Sequence, residues 1–231
     1  QREWVERDYA GPARVSGSAG TGKTIVALHR AVHLARANPD ARVLVTTFSD
    51  MLASALHTKL KRLLGNDPRT AERIDVSSLQ AIGTRLYKSQ VGALKLADRE
   101  AIAALMRDAA AQIGGHKFST HFLLAEWEHV VDAWQVTSWE AYRDVARLGR
   151  KIRLPEPQRQ LLWSIFELVR AGLKTRGLVT EAEMFCGLAA ALAKAKNRAF
   201  DFVVVDESQD LSIAQLRFPR RSGLAGPGID Q

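Results

Sequence analysis

Residues 13–30 read ARVSGSAGTGKTIVALHR, and residues 201–210 read DFVVVDESQD. The first stretch fits G-x-x-x-x-G-K-S/T from Gly17 to Thr24. Glycines in such a turn let backbone N–H groups point inward and approach phosphate oxygens without Cβ clashes. The helix that follows presents its positive N-terminal end to the same oxygens. The pattern assigns Gly17, Ser18, Ala19, Gly20, Thr21, Gly22, Lys23 and Thr24 to nucleotide binding. Lys23 would reach the β- and γ-phosphates and the Thr24 hydroxyl would bind Mg²⁺.

The second stretch is an apolar strand that ends in acids. In open α/β sheets ligands bind at the carboxyl edge of the strands. Mg²⁺ is held there by one or two carboxylates together with substrate phosphates. Asp206 is therefore the metal candidate, acting through water. Glu207, one residue on, is placed to polarise an attacking water. Acids that cap a strand are unremarkable alone; paired with a phosphate loop they become specific.

Working outward, Ala13–Ser16 reads as a short strand leading into the glycines, and Lys23–Ala37 as a helix that Asn38-Pro39-Asp40 ends. The run RVLVTTF is a β-branched buried strand. SDMLASALHTKLKRLL is an amphipathic helix with Ser49 as N-cap. Gly65-Asn66-Asp67-Pro68 is a loop, RIDVSS a strand, and a helix then runs through Tyr87. This alternation predicts a parallel sheet with helices on its faces. From Val91 to Lys174 the sequence carries helices and no convincing strand. There Leu124, Trp127, Val131 and Trp134 fall on one helical stripe, read as core packing ahead of a base-stacking surface. Pro155 and Pro157 open another helix, which Gly177 closes.

The expected fold is thus α/β, a phosphate-loop domain with a parallel sheet, interrupted by an all-helical inserted subdomain. The expected boundaries are 1–88 and 177–217 for the two parts of the phosphate-loop domain and 89–176 for the insertion. Residues 218–231 are read as a divergent, truncated tail.

The chain has 231 residues, 46% of them hydrophobic, with 33 Lys and Arg against 25 Asp and Glu and a net charge of +8. That charge suggests a polyanionic partner such as nucleic acid, set against a merely solvated basic surface. The single cysteine, Cys186, excludes an intrachain disulfide and fits a reducing, cytoplasmic setting. It sits in an apolar helix and is expected to be buried and inert. No apolar run approaches the roughly 18 residues of a membrane helix, and Gln1–Asp8 is too charged for a signal peptide. His29 and His33 lie four apart on one helix without an evident third ligand, which favours a packing or surface role. Lys59, Lys61 and Arg62 read equally as a phosphate-contacting cluster or a solvated face.

GSAGTGKT together with VVVDESQD resembles the superfamily 1 DNA helicases of the UvrD/Rep type, and the D-E-x-Q-D form of the acidic motif is the specific part. The resemblance implies catalytic roles for Lys23, Glu207 and Gln209, and adenine reading by Gln1, which stands 16 residues before the glycine loop. VLVTTFSDMLASAL resembles the first DNA-contact motif, with Phe48 at its aromatic position followed by Ser49. VSSLQAIGTRLY resembles the next, with Ser78 and Gln80 where the family tends to have Thr and His. Asp50-Met51 replaces an Asn-Lys pair common in the family, which removes a positive charge. The resemblance covers residues 1 to about 217.

It implies a RecA-like fold for the phosphate-loop domain and an ATP- and Mg²⁺-dependent motor that translocates on single-stranded DNA. After Leu216, RFPRRSGLAGPGIDQ shows no G-D-x-x-Q-x-I-Y segment. By resemblance the second RecA-like domain and its arginines are absent, and the isolated chain is expected to be inactive. Two other readings stay open: a module that binds ATP and DNA without turnover, and a small-molecule phosphotransferase.

Overall fold

The computed structural model describes residues 2–7, 9, 13, 15–18, 20–145, 154–207 and 215. It divides into two compact units, Gln1–Gly92 with Phe185–Gln231, and Ala93–Met184.

The first unit is built on three parallel strands, β1 (Val43–Thr47), β2 (Ile74–Ser78) and β3 (Phe202–Val205), in the order β2-β1-β3. Every residue of β1 is buried, as a central β-branched strand covered on both faces should be. Helix α1 (Arg2–Glu6) precedes α2 (Lys23–Ala37), and α3 (Asp50–Leu64) follows β1. Leu28, Val32 and Ala35 of α2 and Leu56, Leu60 and Leu64 of α3 close over Val43, Val45 and Ile74 on one sheet face. Ser49 caps α3 as expected, its hydroxyl accepting from Leu52 N at 3.3 Å. The expected loop at residues 65–68 gives way at Pro68 to α4 (Pro68–Ala71), which Asp67 caps by accepting from Thr70 N. Helix α5 (Leu79–Gln90) runs three residues past the expected Tyr87 and is capped by Ser78.

One expected element is corrected. Ala13, Val15 and Ser16 are not in a strand, and Val15 is exposed. A strand exists only where a neighbour completes its hydrogen-bond ladder. Among the described residues β3 pairs with β1 alone. The segment has a single large apolar residue with which to seek a partner.

The second unit is helical: α6 (Arg99–Ile113), α7 (Thr120–Glu126), α8 (Trp139–Asp144) and α9 (Glu156–Thr175). Trp127, Tyr142, Trp163 and Phe166 form its aromatic centre, with the Tyr142 ring stacked on Trp163 at 5.6 Å and its hydroxyl donating to buried Glu126 at 3.0 Å. Gly172 lets α9 approach Leu105 of α6 closely, where a Cβ would collide. A lone parallel bridge, Leu96 to Val179, joins the segment before α6 to that after α9.

The stripe expected to pack in the core breaks at its last residue. Trp127 and Val131 are buried, but Trp134 is 51% exposed. Residues Trp127–Asp132 form a π-helical turn. Such a turn adds a residue to the ladder and shifts the helical phase of everything after it. Helix α10 (Glu181–Leu192) buries Met184, Phe185 and Leu188, while Cys186, expected to be buried, is only half-buried. Among the described residues no helix is long and apolar enough to cross a membrane.

Candidate nucleotide and nucleic-acid site

The glycine-rich loop is shaped by its own residues. Gly20 and Gly22 both have φ of +80°, a left-handed conformation that glycine adopts without Cβ strain. A Cβ on Gly17 would lie 2.8 Å from Thr21 Oγ1, so a side chain there would push the Thr21 hydroxyl aside. Thr21 Oγ1 donates to Ser18 O at 2.9 Å and pins the turn. Lys23 Nζ folds back to donate to Gly17 O at 2.9 Å and Ser18 O at 3.0 Å. The ammonium is thus held over the loop by weak neutral acceptors that an anion can displace.

Helix α2 starts at Gly22 with no side-chain cap, whereas Ser49 and Ser78 cap α3 and α5. Its first N–H groups therefore need an outside acceptor, as at phosphate-binding helix ends. These features fit a nucleotide with its metal. Ala19 and Gln1, also expected in this site, lie outside the described residues. Arg30 of α2 donates to Val5 O at 2.7 Å and lies over the Tyr9 ring, which ties the segment of α1 to α2.

The acid-capped strand comes to the same place. Thr24 Oγ1 donates to Asp206 Oδ2 at 3.0 Å. The parallel ladder runs one residue past β3, with Asp206 N donating to Thr46 O at 2.9 Å. Asp206 is buried, and the next residue leaves the strand abruptly: Glu207 has φ of +56°, rare for a residue with a Cβ. That turn gives two adjacent carboxylates different surroundings, Asp206 against α2 and Glu207 half-buried beyond the ladder. Gln209 lies outside the described residues.

The two segments expected to meet DNA lie on this same edge. The β1–β2 register pairs Thr47 with Ser78, so the chain leaves both strands side by side. Phe48 is 45% exposed, and Met51 beside it on α3 is 85% exposed, with Leu52 also exposed. This apolar patch was not singled out in the sequence, although Met51 marks the site of the lost charge. Ser49 is half-buried and Gln80 exposed, while Ser78 is buried and occupied in capping Ala81 N at 3.2 Å. Lys59, Lys61 and Arg62 are exposed.

Sequence reasoning also passed over Thr46 and Thr47, whose buried hydroxyls have no partner among the described residues. Their only signal was two polar residues at the end of an otherwise apolar strand. A cavity of about 310 Å³ lined by Arg42, His57, Arg73 and Phe200 lies at the opposite, amino-terminal edge of the strands, away from the phosphate loop.

No curated protein matches the chain. Residues 1–221 match the family model of the UvrD/REP helicase N-terminal domain, and a match over nearly the whole chain makes this protein a member of that family.

Proposed function

We propose that this chain is the ATP-binding motor domain of a DNA helicase, which couples ATP hydrolysis to movement along single-stranded DNA. The observation that carries the reading is the Thr24–Asp206 hydrogen bond, which joins the phosphate loop to the acid-capped strand at one sheet edge. The loop from Gly17 to Gly22 offers N–H groups to phosphate oxygens, and Lys23 exchanges its two carbonyl acceptors for them. Thr24 and Asp206 would hold Mg²⁺, which when bound neutralises phosphate charge. Glu207 holds the attacking water as general base, Gln209 assists at the same edge, and Gln1 reads the adenine. Phe48 stacks on a base, Ser49 and Gln80 contact the strand beside it, and Ser78 keeps α5 in place. Residues 89–176 act as a helical insertion in a RecA-like domain, and the site belongs to a cytoplasmic enzyme.

Single-turnover ATP hydrolysis with and without single-stranded DNA tests the reading. The expected result is Mg²⁺-dependent ATP binding that Lys23→Ala abolishes, with only trace turnover from the chain alone and DNA-responsive turnover, which Glu207→Gln removes, when a second RecA-like domain is added in trans. Turnover indifferent to DNA would point to a small-molecule phosphotransferase instead.

A further inference from the structure

Helix α1 is only five residues long and carries no basic residue in its last turn. A helix that short is marginal on its own in water. Its last carbonyls have no partner within the helix and sit at the negative end of its dipole. Arg30 supplies what α1 lacks. It stands about two turns into α2, and its Nη1 donates to Val5 O at 2.7 Å in a part-buried bond. The donor is charged, so the bond is stronger than one between neutral groups.

Tyr9 closes the arrangement. The Arg30 guanidinium lies 5.4 Å from the centre of the Tyr9 ring, and that of Arg7 lies 6.0 Å from it. The Tyr9 hydroxyl is buried and has no partner among the described residues. The ring therefore acts through its face, which attracts the cations, and not through its hydroxyl. One side chain of α2 thus holds the segment on both sides of Arg7, by the carbonyl of Val5 before it and the ring of Tyr9 after it.

Resting on the reading of Gln1 as the residue that reads adenine, we infer that Arg30 is a positioning residue for base selection. Gln1 is one peptide bond from Arg2, so anchoring α1 limits where the Gln1 side chain can reach. Helix α2, which holds that anchor, also begins with Lys23 and Thr24 at the phosphate end of the nucleotide. Phosphates and base lie at opposite ends of a nucleoside triphosphate, and separate segments of the chain hold them. Arg30 fixes one segment to the helix that starts the other. Phosphate affinity needs no such link. Discrimination between bases does, because a hydrogen bond to a base edge weakens steeply as its distance and angle drift.

The test measures the affinities of ATP, GTP and inorganic tripolyphosphate by displacement of a fluorescent ATP analogue, with a thermal melt of each variant. Gln1→Ala sets the size of the preference for ATP over GTP. Arg30→Ala should cut that preference by about tenfold and leave tripolyphosphate affinity at its wild-type value. Tyr9→Ala reaches the same loss by a second route that leaves Arg30 in place. Tyr9→Phe keeps the ring face and should retain the preference. A wild-type preference in both Arg30→Ala and Tyr9→Ala would overturn the inference. So would a fall in tripolyphosphate affinity that matches the fall for ATP, or a Tyr9→Phe variant as impaired as Tyr9→Ala. A wild-type ratio in Gln1→Ala would overturn the reading of Gln1, and this inference with it.

Discussion

Thr24 in the first turn of α2 donates its hydroxyl to Asp206 just beyond β3, closing a contact between residues 182 apart in the chain. The bond is part-buried and its acceptor is a carboxylate, so it is among the stronger kinds of hydrogen bond. Thr24→Val should lower unfolding free energy by about 1–3 kcal/mol, because Asp206 loses that donor in a buried place. Asp206→Asn keeps an acceptor oxygen for Thr24 and should fold nearly as well, while losing the Mg²⁺-dependent part of nucleotide affinity. Denaturant unfolding and nucleotide titration separate the two effects. A Thr24→Val variant as stable as wild type would remove this bond from the fold's support.

Lys23 tests the loop independently. Its ammonium rests on the carbonyls of Gly17 and Ser18 in an exposed setting, where such contacts contribute little to stability. Lys23→Ala should therefore unfold within about 0.5 kcal/mol of wild type. A charge-assisted bond to phosphate is worth about 1.5–3 kcal/mol, so ATP affinity should fall by at least about tenfold. Calorimetry that finds unchanged affinity would contradict the phosphate-loop assignment.

The patch at the start of α3 makes a separate prediction about nucleic acid. Phe48→Ala should weaken single-stranded DNA binding by about 1–3 kcal/mol if a base stacks there. Met51 is 85% exposed beside it and carries no charge. Met51→Lys should add a phosphate contact, raising affinity at low salt and steepening the salt slope by about 0.7. Fluorescence anisotropy over a salt series reads both. If neither substitution moves the binding curve, the strand does not run over α3.

What the sequence made legible was local chemistry. Gly20 and Gly22 are favoured by their left-handed backbone, so the loop could be read without its surroundings. Ser49 announced its helix in the same way, and the apolar run at β1 announced a buried strand. Features that depend on a partner were not legible. Whether Ala13–Ser16 forms a strand depends on a neighbouring ladder. Trp134 left the expected stripe because one π-helical turn upstream changed its phase. Thr47 read as one more β-branched residue, and only the pairing of Thr46 with Val205 and of Thr47 with Ser78 sets it between Asp206 and the cap of α5.

The helical unit carries a pH dependence of its own, centred on Asp132 at the end of the π-helical turn. Its Oδ1 accepts from Thr180 Oγ1 at 2.6 Å and from Gln135 Nε2 at 2.9 Å. Arg170 of α9 faces it with a positive charge and Glu183 of α10 with a negative one. Burial is the largest influence and pushes the carboxyl above its ordinary value of 3.8, against the two hydrogen bonds and Arg170, which pull it down. The folded state therefore prefers the protonated acid more than the unfolded chain does. The stabilising contribution is complete below pH 3.8 and is lost as pH rises through the elevated folded value. At neutral pH the ionised group is a net cost. Asp132→Asn keeps an acceptor for Thr180 and carries no charge to desolvate. The variant should unfold at a higher temperature than wild type at pH 7, and the gap should narrow steadily as the pH is lowered toward 3.8. Taking the difference between two chains that share every other titratable group isolates this one. A gap that stays constant across that range, or a variant less stable than wild type at pH 7, would mean that the hydrogen bonds and Arg170 outweigh burial at this site.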